Sequence, residues 1–261
     1  MDLGLTGKRA LVLGASRGLG ASIARALAEE GATVVAASRS LDKIAAWTGE
    51  LSGAAQGRVS PAAVDLFDIA SVDRLADEVL AQGGADILVN NSGGPPPAGA
   101  QDAARDLWLK HFEAMAANLI HLTQRLLPPM QQKGWGRIIT VTSSGVEQPI
   151  PRLALSNGIR SAIVGWSKTL ASEVAANGVT VNVVMPGRIA TERVAELDNA
   201  NAARSGQSVE EVAKASIAAI PAGRLGRPEE FADVVTFLAS ERASYVTGAK
   251  IRIDGGATRS I

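Results

Sequence analysis

The stretch Lys8–Gly31, KRALVLGASRGLGASIARALAEEG, restricts what this chain can fold into more than any other. Its apolar run Ala10–Leu13 reads as a buried strand, and Ile23, Ala26 and Leu27 recur behind it at helical spacing. Between the two lie Gly14, Gly18 and Gly20, which let the backbone turn tightly and approach a ligand with no Cβ in the way. A helix leaving such a turn aims its first N–H groups, and the positive end of its dipole, at a phosphate. A plain strand-to-helix turn also uses glycines, so the rest of the chain has to decide between the two.

The strand-then-helix alternation continues along the whole length. Ala10–Leu13, Thr33–Ala37, Val59–Val64, Ile87–Asn90, Arg137–Thr142, Thr180–Val184 and Lys250–Ile253 are the strand candidates, and helical segments separate them. Most are continuous apolar runs rather than alternating ones, which suits a parallel sheet covered on both faces. Serial βαβ units of this kind give a doubly wound sheet, with ligands bound off the carboxyl ends of the strands. The longest helical pattern runs from Gln101 to Gln132 through Leu107, Phe112, Met115, Leu119, Leu122 and Leu126.

Composition excludes several function classes. Lysine plus arginine and aspartate plus glutamate number 26 each, so nothing favours nucleic acid or another polyanion. Without cysteine there is no disulfide framework, thiolate chemistry or Cys-based metal site. The histidines, His111 and His121, have no partner at metal-ligand spacing and read as structural or surface residues, so no metal is expected. No signal peptide or membrane-spanning apolar run is present, which gives the expectation of a soluble cytoplasmic protein with no membrane partner.

The spacing Gly14-x-x-x-Gly18-x-Gly20 is not GxGxxG; it resembles the GxxxGxG turn of the short-chain dehydrogenase/reductase family. Other segments extend the resemblance over nearly the whole chain. Asn90-Asn91-Ser92-Gly93 is similar to the family's NNAG with Ser for Ala, and Ser143-Ser144-Gly145 falls where the family has its catalytic serine. Pro186-Gly187-Arg188-Ile189-Ala190-Thr191 resembles PGxIxT, and a C-terminal SYVTG and Asp254-Gly255-Gly256 follow. The general likeness is to the 3-oxoacyl-acyl-carrier-protein reductase branch. It implies an α/β fold: a single Rossmann-type doubly wound domain over 1–261, its seven-stranded parallel sheet flanked by helices on both faces. A substrate lid over 188–226, a small-molecule substrate and a homo-oligomer, dimer or tetramer, are further implications.

Carried over residue by residue, the cofactor contacts are Gly14, Ser16, Arg17, Gly18, Leu19 and Gly20 in the turn, Asp65 and Leu66 after the third strand, and Asn91, Ser92 and Gly93 after the fourth. Pro186, Gly187, Ile189 and Thr191 would meet the carboxamide end of a nicotinamide, although Thr191 also suits an N-cap. Asp65 would accept from the adenine amino group, or equally cap the next turn. Ser38-Arg39-Ser40 has no acid to take a ribose 2′-OH, whereas Arg39 with Arg17 suits a 2′-phosphate, which favours NADP(H) over NAD(H). Both arginines also read as solvated surface charges.

The catalytic positions depart from the family. Ser144 would hold the substrate oxygen, and Asn118 falls where the family's helix carries the asparagine whose backbone orders a relay water. The family then places Tyr-x-x-x-Lys at a helix start, on one face. This chain has Ser156 at the tyrosine position and Arg160 at the lysine position, and its one tyrosine, Tyr245, lies in SYVTG. An aliphatic hydroxyl is a far weaker acid than a phenol, and an always-charged arginine can hold ribose hydroxyls but not pass on a proton. Glu147 is a candidate substitute acid if an apolar pocket raises its pKa, with a solvated loop carboxylate as the alternative. Lys168 lies two helical turns beyond Arg160, out of reach. The resemblance therefore implies an NADP(H)-dependent carbonyl/alcohol oxidoreductase with an atypical proton relay. The alternative is a catalytically impaired NADP(H)-binding sensor or scaffold.

Overall fold

The computed structural model describes residues 2–51 and 53–260. Its strands are β1 (Arg9–Leu13), β2 (Thr33–Ser38), β3 (Val59–Ala63), β4 (Ile87–Asn90), β5 (Gly136–Val141), β6 (Val179–Pro186) and β7 (Lys250–Ile253). They form one seven-stranded sheet in the order β3-β2-β1-β4-β5-β6-β7, every pair parallel. Each expected strand is present, displaced by no more than two residues at either end. Running outward from β1 to β3 and then back to β4 beside β1, the order reverses between β1 and β4, which is where such sheets bind ligands.

Period-two side chains on continuous apolar strands explain the two cores on the faces of the sheet. On β1, Ala10 and Val12 join a cluster with Ile23 and Leu27 of α1 (Gly18–Glu29) and Phe231 and Val235 of α9 (Pro228–Ala239). Leu11 and Leu13 join the other cluster, with Leu75 and Val79 of α3 (Ile69–Ala81), Leu122 and Leu126 of α5 (Asn118–Lys133), and Leu170 of α6 (Ala154–Val174). Burying each large aliphatic side chain contributes roughly 1.5–3 kcal/mol, so strand order and face are strongly specified. Pro228 opens α9, whose Glu230 accepts from Arg227 N–H at 2.8 Å.

The 101–132 helix is corrected. It starts at Arg105 and is divided into α4 (Arg105–Phe112), a π-helical turn (Glu113–Ala117) and α5. Heptad-like spacing hides the interruption because its two halves serve different cores. Met115 and Ala116 pack with Leu155, Ile159 and Ile163 of α6, whereas Leu119, Leu122 and Leu126 face the sheet. The extra residue in the turn rotates the second half onto its new partner.

The remaining helices are α2 (Leu41–Gly49), α7 (Glu192–Ser205) and α8 (Val209–Ala218). The last two occupy the 188–226 stretch, whose ends are hydrogen-bonded together: Gly226 N–H donates to Arg188 O at 3.0 Å and Ala190 N–H to Gly226 O at 2.8 Å. No helix among the described residues is long and apolar enough to cross a membrane.

Candidate active site

The glycine turn is held rigidly. Gly14 has φ +63°, and Asn91 Nδ2 donates to Leu13 O at 3.1 Å, tying the end of β4 to the end of β1. The Trp47 indole of α2 donates to Ala15 O at 2.9 Å, and Ala15 N–H donates to Ala37 O at 3.1 Å. At Gly20 a Cβ would stand 2.3 Å from Gly14 O, so no other residue fits. Helix α1 begins with no side-chain cap and no acid in its first turn. Its orphan N–H groups and dipole therefore suit an anion, which is the fit expected of a nucleotide phosphate.

Around that turn, Arg39 is exposed, while Arg17 is engaged by α7: it pairs with Glu192 and, at 3.2 Å, with Glu196. Those carboxylates hold the Arg17 pKa above its ordinary value, the Glu192 hydrogen bond leading. Asp65 Oδ1 accepts from Phe67 N–H at 3.0 Å, so one of its oxygens closes the turn. Asn118 Nδ2 donates to Leu66 O at 2.8 Å, joining the start of α5 to the segment after β3. Nothing within 4 Å would meet a Cβ on Gly93, leaving open space past the end of β4.

Ser144 begins a 3₁₀ turn (Ser144–Val146) directly after β5, with Ser143 Oγ accepting from Gly145 N–H at 3.1 Å. Asn157 of α6 backs this turn; its Oδ1 is buried without a hydrogen-bond partner and would lie 2.4 Å from a Cβ at Gly145. Ser156 is buried in the first turn of α6. One turn on, Arg160 Nη1 donates to Val141 O at 2.9 Å and Nη2 to Ser92 O at 3.5 Å. Burial, with the positive charge of Arg193 adding to it, pushes the Arg160 pKa down to about 10, so it remains a cation at neutral pH.

Glu147 is not a substitute acid. Its side chain is 11 % exposed but pairs with Lys250 at 2.8 Å and with Arg252. The Lys250 hydrogen bond, then that of Arg252, holds its carboxyl below the usual range against the opposing effect of burial. Apolar surroundings were the condition for a raised pKa, and two cations from β7 remove it. Lys168 donates to Gly248 O at 3.3 Å, away from Arg160, and Tyr245 is fully exposed at 101 %. His121 contacts Asp73 at 2.7 Å and His111 packs edge-on to Phe67, so neither histidine enters the site. Among the described residues no cluster suits a metal ion.

After β6, Pro186–Thr191 leads into α7, with Thr191 at the N-cap position but its hydroxyl turned to Ile189 O at 3.3 Å. Thr191 Cγ2 would lie 3.6 Å from a Cβ on Gly18, so this segment adjoins the glycine turn. Two arginines passed over in the sequence fasten α7 here. Arg188 Nη2 donates to both oxygens of buried Asp198, at 2.5 and 2.6 Å, and Arg193 Nη2 donates to Pro95 O at 2.9 Å. At the sequence level they look like surface charges; the only signal is their place just after a strand end.

Strand ends, glycine turn and the polar side chains of Ser144, Ser156 and Arg160 thus meet on the ligand-binding edge of a doubly wound sheet, the arrangement of nucleotide-dependent oxidoreductases. A family model described as enoyl-(acyl carrier protein) reductase matches residues 14–258. The chain belongs to the short-chain dehydrogenase/reductase family. It is 35% identical over 251 residues to the 3-oxoacyl-(acyl-carrier-protein) reductase of Escherichia coli (strain K12), covering 96% of this chain and 97% of the relative. It is also 35% identical over 252 residues to nodulation protein G of Azospirillum brasilense, covering 95% and 97%. Among solved structures, L-sorbose reductase from Gluconobacter frateurii, complexed with NADPH and L-sorbose, superposes with a TM-score of 0.93 at 33% identity over 100% of both chains.

Proposed function

We propose that this protein is an NADP(H)-dependent oxidoreductase acting on a carbonyl or secondary alcohol through an atypical proton relay. The observation that carries it is the uncapped start of α1 behind a turn that accepts only glycine at Gly20, on the same edge of the sheet as Ser144 after β5 and Arg160, which bonds the chain at the ends of β4 and β5. The NADPH in the solved L-sorbose reductase supports the choice of cofactor, as do Arg39, where a ribose-binding acid would otherwise stand, and Arg17 in the glycine turn.

When bound, the nicotinamide supplies or takes the hydride. The residues of this chain do the rest. Ser144 holds the substrate oxygen by its hydroxyl, Ser156 offers a second hydroxyl to it, and Arg160 stabilises negative charge there and holds ribose hydroxyls. Neither Ser156 nor Arg160 replaces a phenol as acid, so the proton comes from water, ordered beside Asn118. A positioned general acid is typically worth about 10²–10⁴ in rate, and this is the factor the chain forgoes. Residues 188–226 act as the lid, and the chain assembles as a dimer or tetramer.

A second reading, an NADP(H)-binding sensor or scaffold, is favoured by the pairing of Glu147 with Lys250 and Arg252, which leaves that carboxylate unfit as an acid. Titration with NADPH and NADH followed by a ketone screen separates the two. The oxidoreductase reading expects NADPH oxidation that Ser144→Ala abolishes, and a gain of up to about 10²-fold or more in Ser156→Tyr/Arg160→Lys. Tight NADPH binding with no turnover in any variant supports the sensor. No affinity for either nucleotide defeats both.

A further inference from the structure

We propose that Arg160 and Arg193 together bind an anionic group, a carboxylate or a phosphate, carried by the substrate and held beside Ser144. This deepens the oxidoreductase reading and rests on it. The two guanidinium groups come from different helices, α6 and α7, and reach the same loop after β4: Arg160 donates to Ser92 O at 3.5 Å and Arg193 to Pro95 O at 2.9 Å. The other Arg160 contact is Val141 O at 2.9 Å, three residues before Ser144 in the chain.

Charge is unbalanced here. The hydrogen bonds of half-buried Arg160 go to backbone carbonyls, which supply dipoles but no countercharge, and a cation drawn out of water gains from an anionic partner. The nearby carboxylates are already engaged. Glu192 pairs with Arg17, and Glu196 is shared between Arg17 at 3.2 Å and Arg193 at 3.4 Å. Among the described residues, Arg17 and Arg193 thus share Glu192 and Glu196, and Arg160 has no carboxylate partner. The Arg160 pKa is lowered first by burial and then by the like charge of Arg193, in keeping with two cations close to the same loop. Planar forks from two directions match the oxygens of a carboxylate or phosphate. A neutral ketone would leave Arg160 without a countercharge and Arg193 with only its share of Glu196. The other source of the same chemistry is the nucleotide's own diphosphate. The contact of Arg160 with the end of β5, next to Ser144, favours the substrate, whereas Arg17 stands at the phosphate-facing turn.

The test titrates the NADP⁺-loaded protein calorimetrically with benzoylformate and with its neutral methyl ester, then with 2-oxoglutarate and inorganic phosphate, and repeats each on Arg193→Gln. Expected is binding of at least one anion, benzoylformate favoured over its ester by about tenfold or more, and a similar loss in Arg193→Gln with NADP⁺ affinity unchanged. Equal binding of acid and ester, no binding by any anion, or unchanged anion affinity in Arg193→Gln overturns the proposal. Loss of NADP⁺ affinity in Arg193→Gln, with anion binding intact, assigns the pair to the cofactor instead. If the wild type binds no nicotinamide nucleotide, the functional reading fails by itself. The acid, ester and Arg193→Gln arms then run on the unloaded protein and still decide whether the pair takes an anion.

Discussion

Gly20→Ala tests the glycine turn directly. The added Cβ would lie 2.3 Å from Gly14 O, 2.7 Å from Gly14 C and 2.8 Å from Asn91 Nδ2, against 3.4–4 Å for ordinary contact. Relief requires a shift of about 1 Å, and the obstacles are backbone and a side chain tied to Leu13 O, so nothing flexible can yield. Overpacking of this kind costs roughly 1–3 kcal/mol, which lowers Tm by about 2–10 °C in a chain of this size. The same shift carries the N–H groups of the turn off a bound phosphate, so NADPH affinity falls by about tenfold or more. Gly49→Ala is the control. Gly49 is exposed at the end of α2 with nothing within 4 Å of an added Cβ, and the substitution leaves Tm unchanged or raises it by a few degrees, through roughly 0.5–1 kcal/mol of helix propensity. Thermal melting and fluorescence titration with NADPH read both variants. A Gly20→Ala protein that melts and binds NADPH like the wild type refutes the argument.

Three further outcomes are expected. Because Glu147 is held below its ordinary pKa, first by Lys250, its pairing adds stability that is complete above the unfolded carboxylate value near 4.3 and is lost as pH falls through the folded value. Chemical denaturation should therefore show Glu147→Gln less stable than wild type at pH 7, with the gap closing below about pH 4; a gap independent of pH contradicts this. Glu192→Gln/Glu196→Gln frees Arg17, so NADPH affinity should rise by up to about fivefold, given the exposure of these pairs, with NADH affinity changing less. An equal rise for both nucleotides shows that Arg17 does not meet a 2′-phosphate. Asp198→Asn leaves the Arg188 cation without its buried partner, and limited proteolysis within 188–226 should accelerate; an unchanged cleavage rate means α7 is held by other contacts.

The strands and their order of burial are readable from the chain because parallel strands covered on both faces are continuous apolar runs, as Leu11–Leu13 and Ile87–Val89 show. The backbone clamp of the turn is half readable: its glycines and the Asn91 that bonds Leu13 O stand out in the sequence, but the Trp47 contact to Ala15 O depends on how α2 returns to the sheet. The π turn at Glu113–Ala117 escaped because one extra residue barely disturbs an apolar periodicity that spans two cores. Glu147 and Arg193 were beyond sequence reasoning for a common reason. Their partners Lys250, Arg252 and Pro95 lie about 100 residues away, and a carboxylate or guanidinium takes its properties from such neighbours.

The bond pair between Arg188, Ala190 and Gly226 means that the polypeptide leaves and re-enters the scaffold at one spot. What lies between is also fastened along its length, by Glu192 and Glu196 to Arg17, by Arg193 to Pro95 O and by Ala222 N–H to Gly255 O. A graft between these points therefore keeps its entry and exit but has to reproduce the carboxylates that meet Arg17 and the guanidinium that meets Pro95 O.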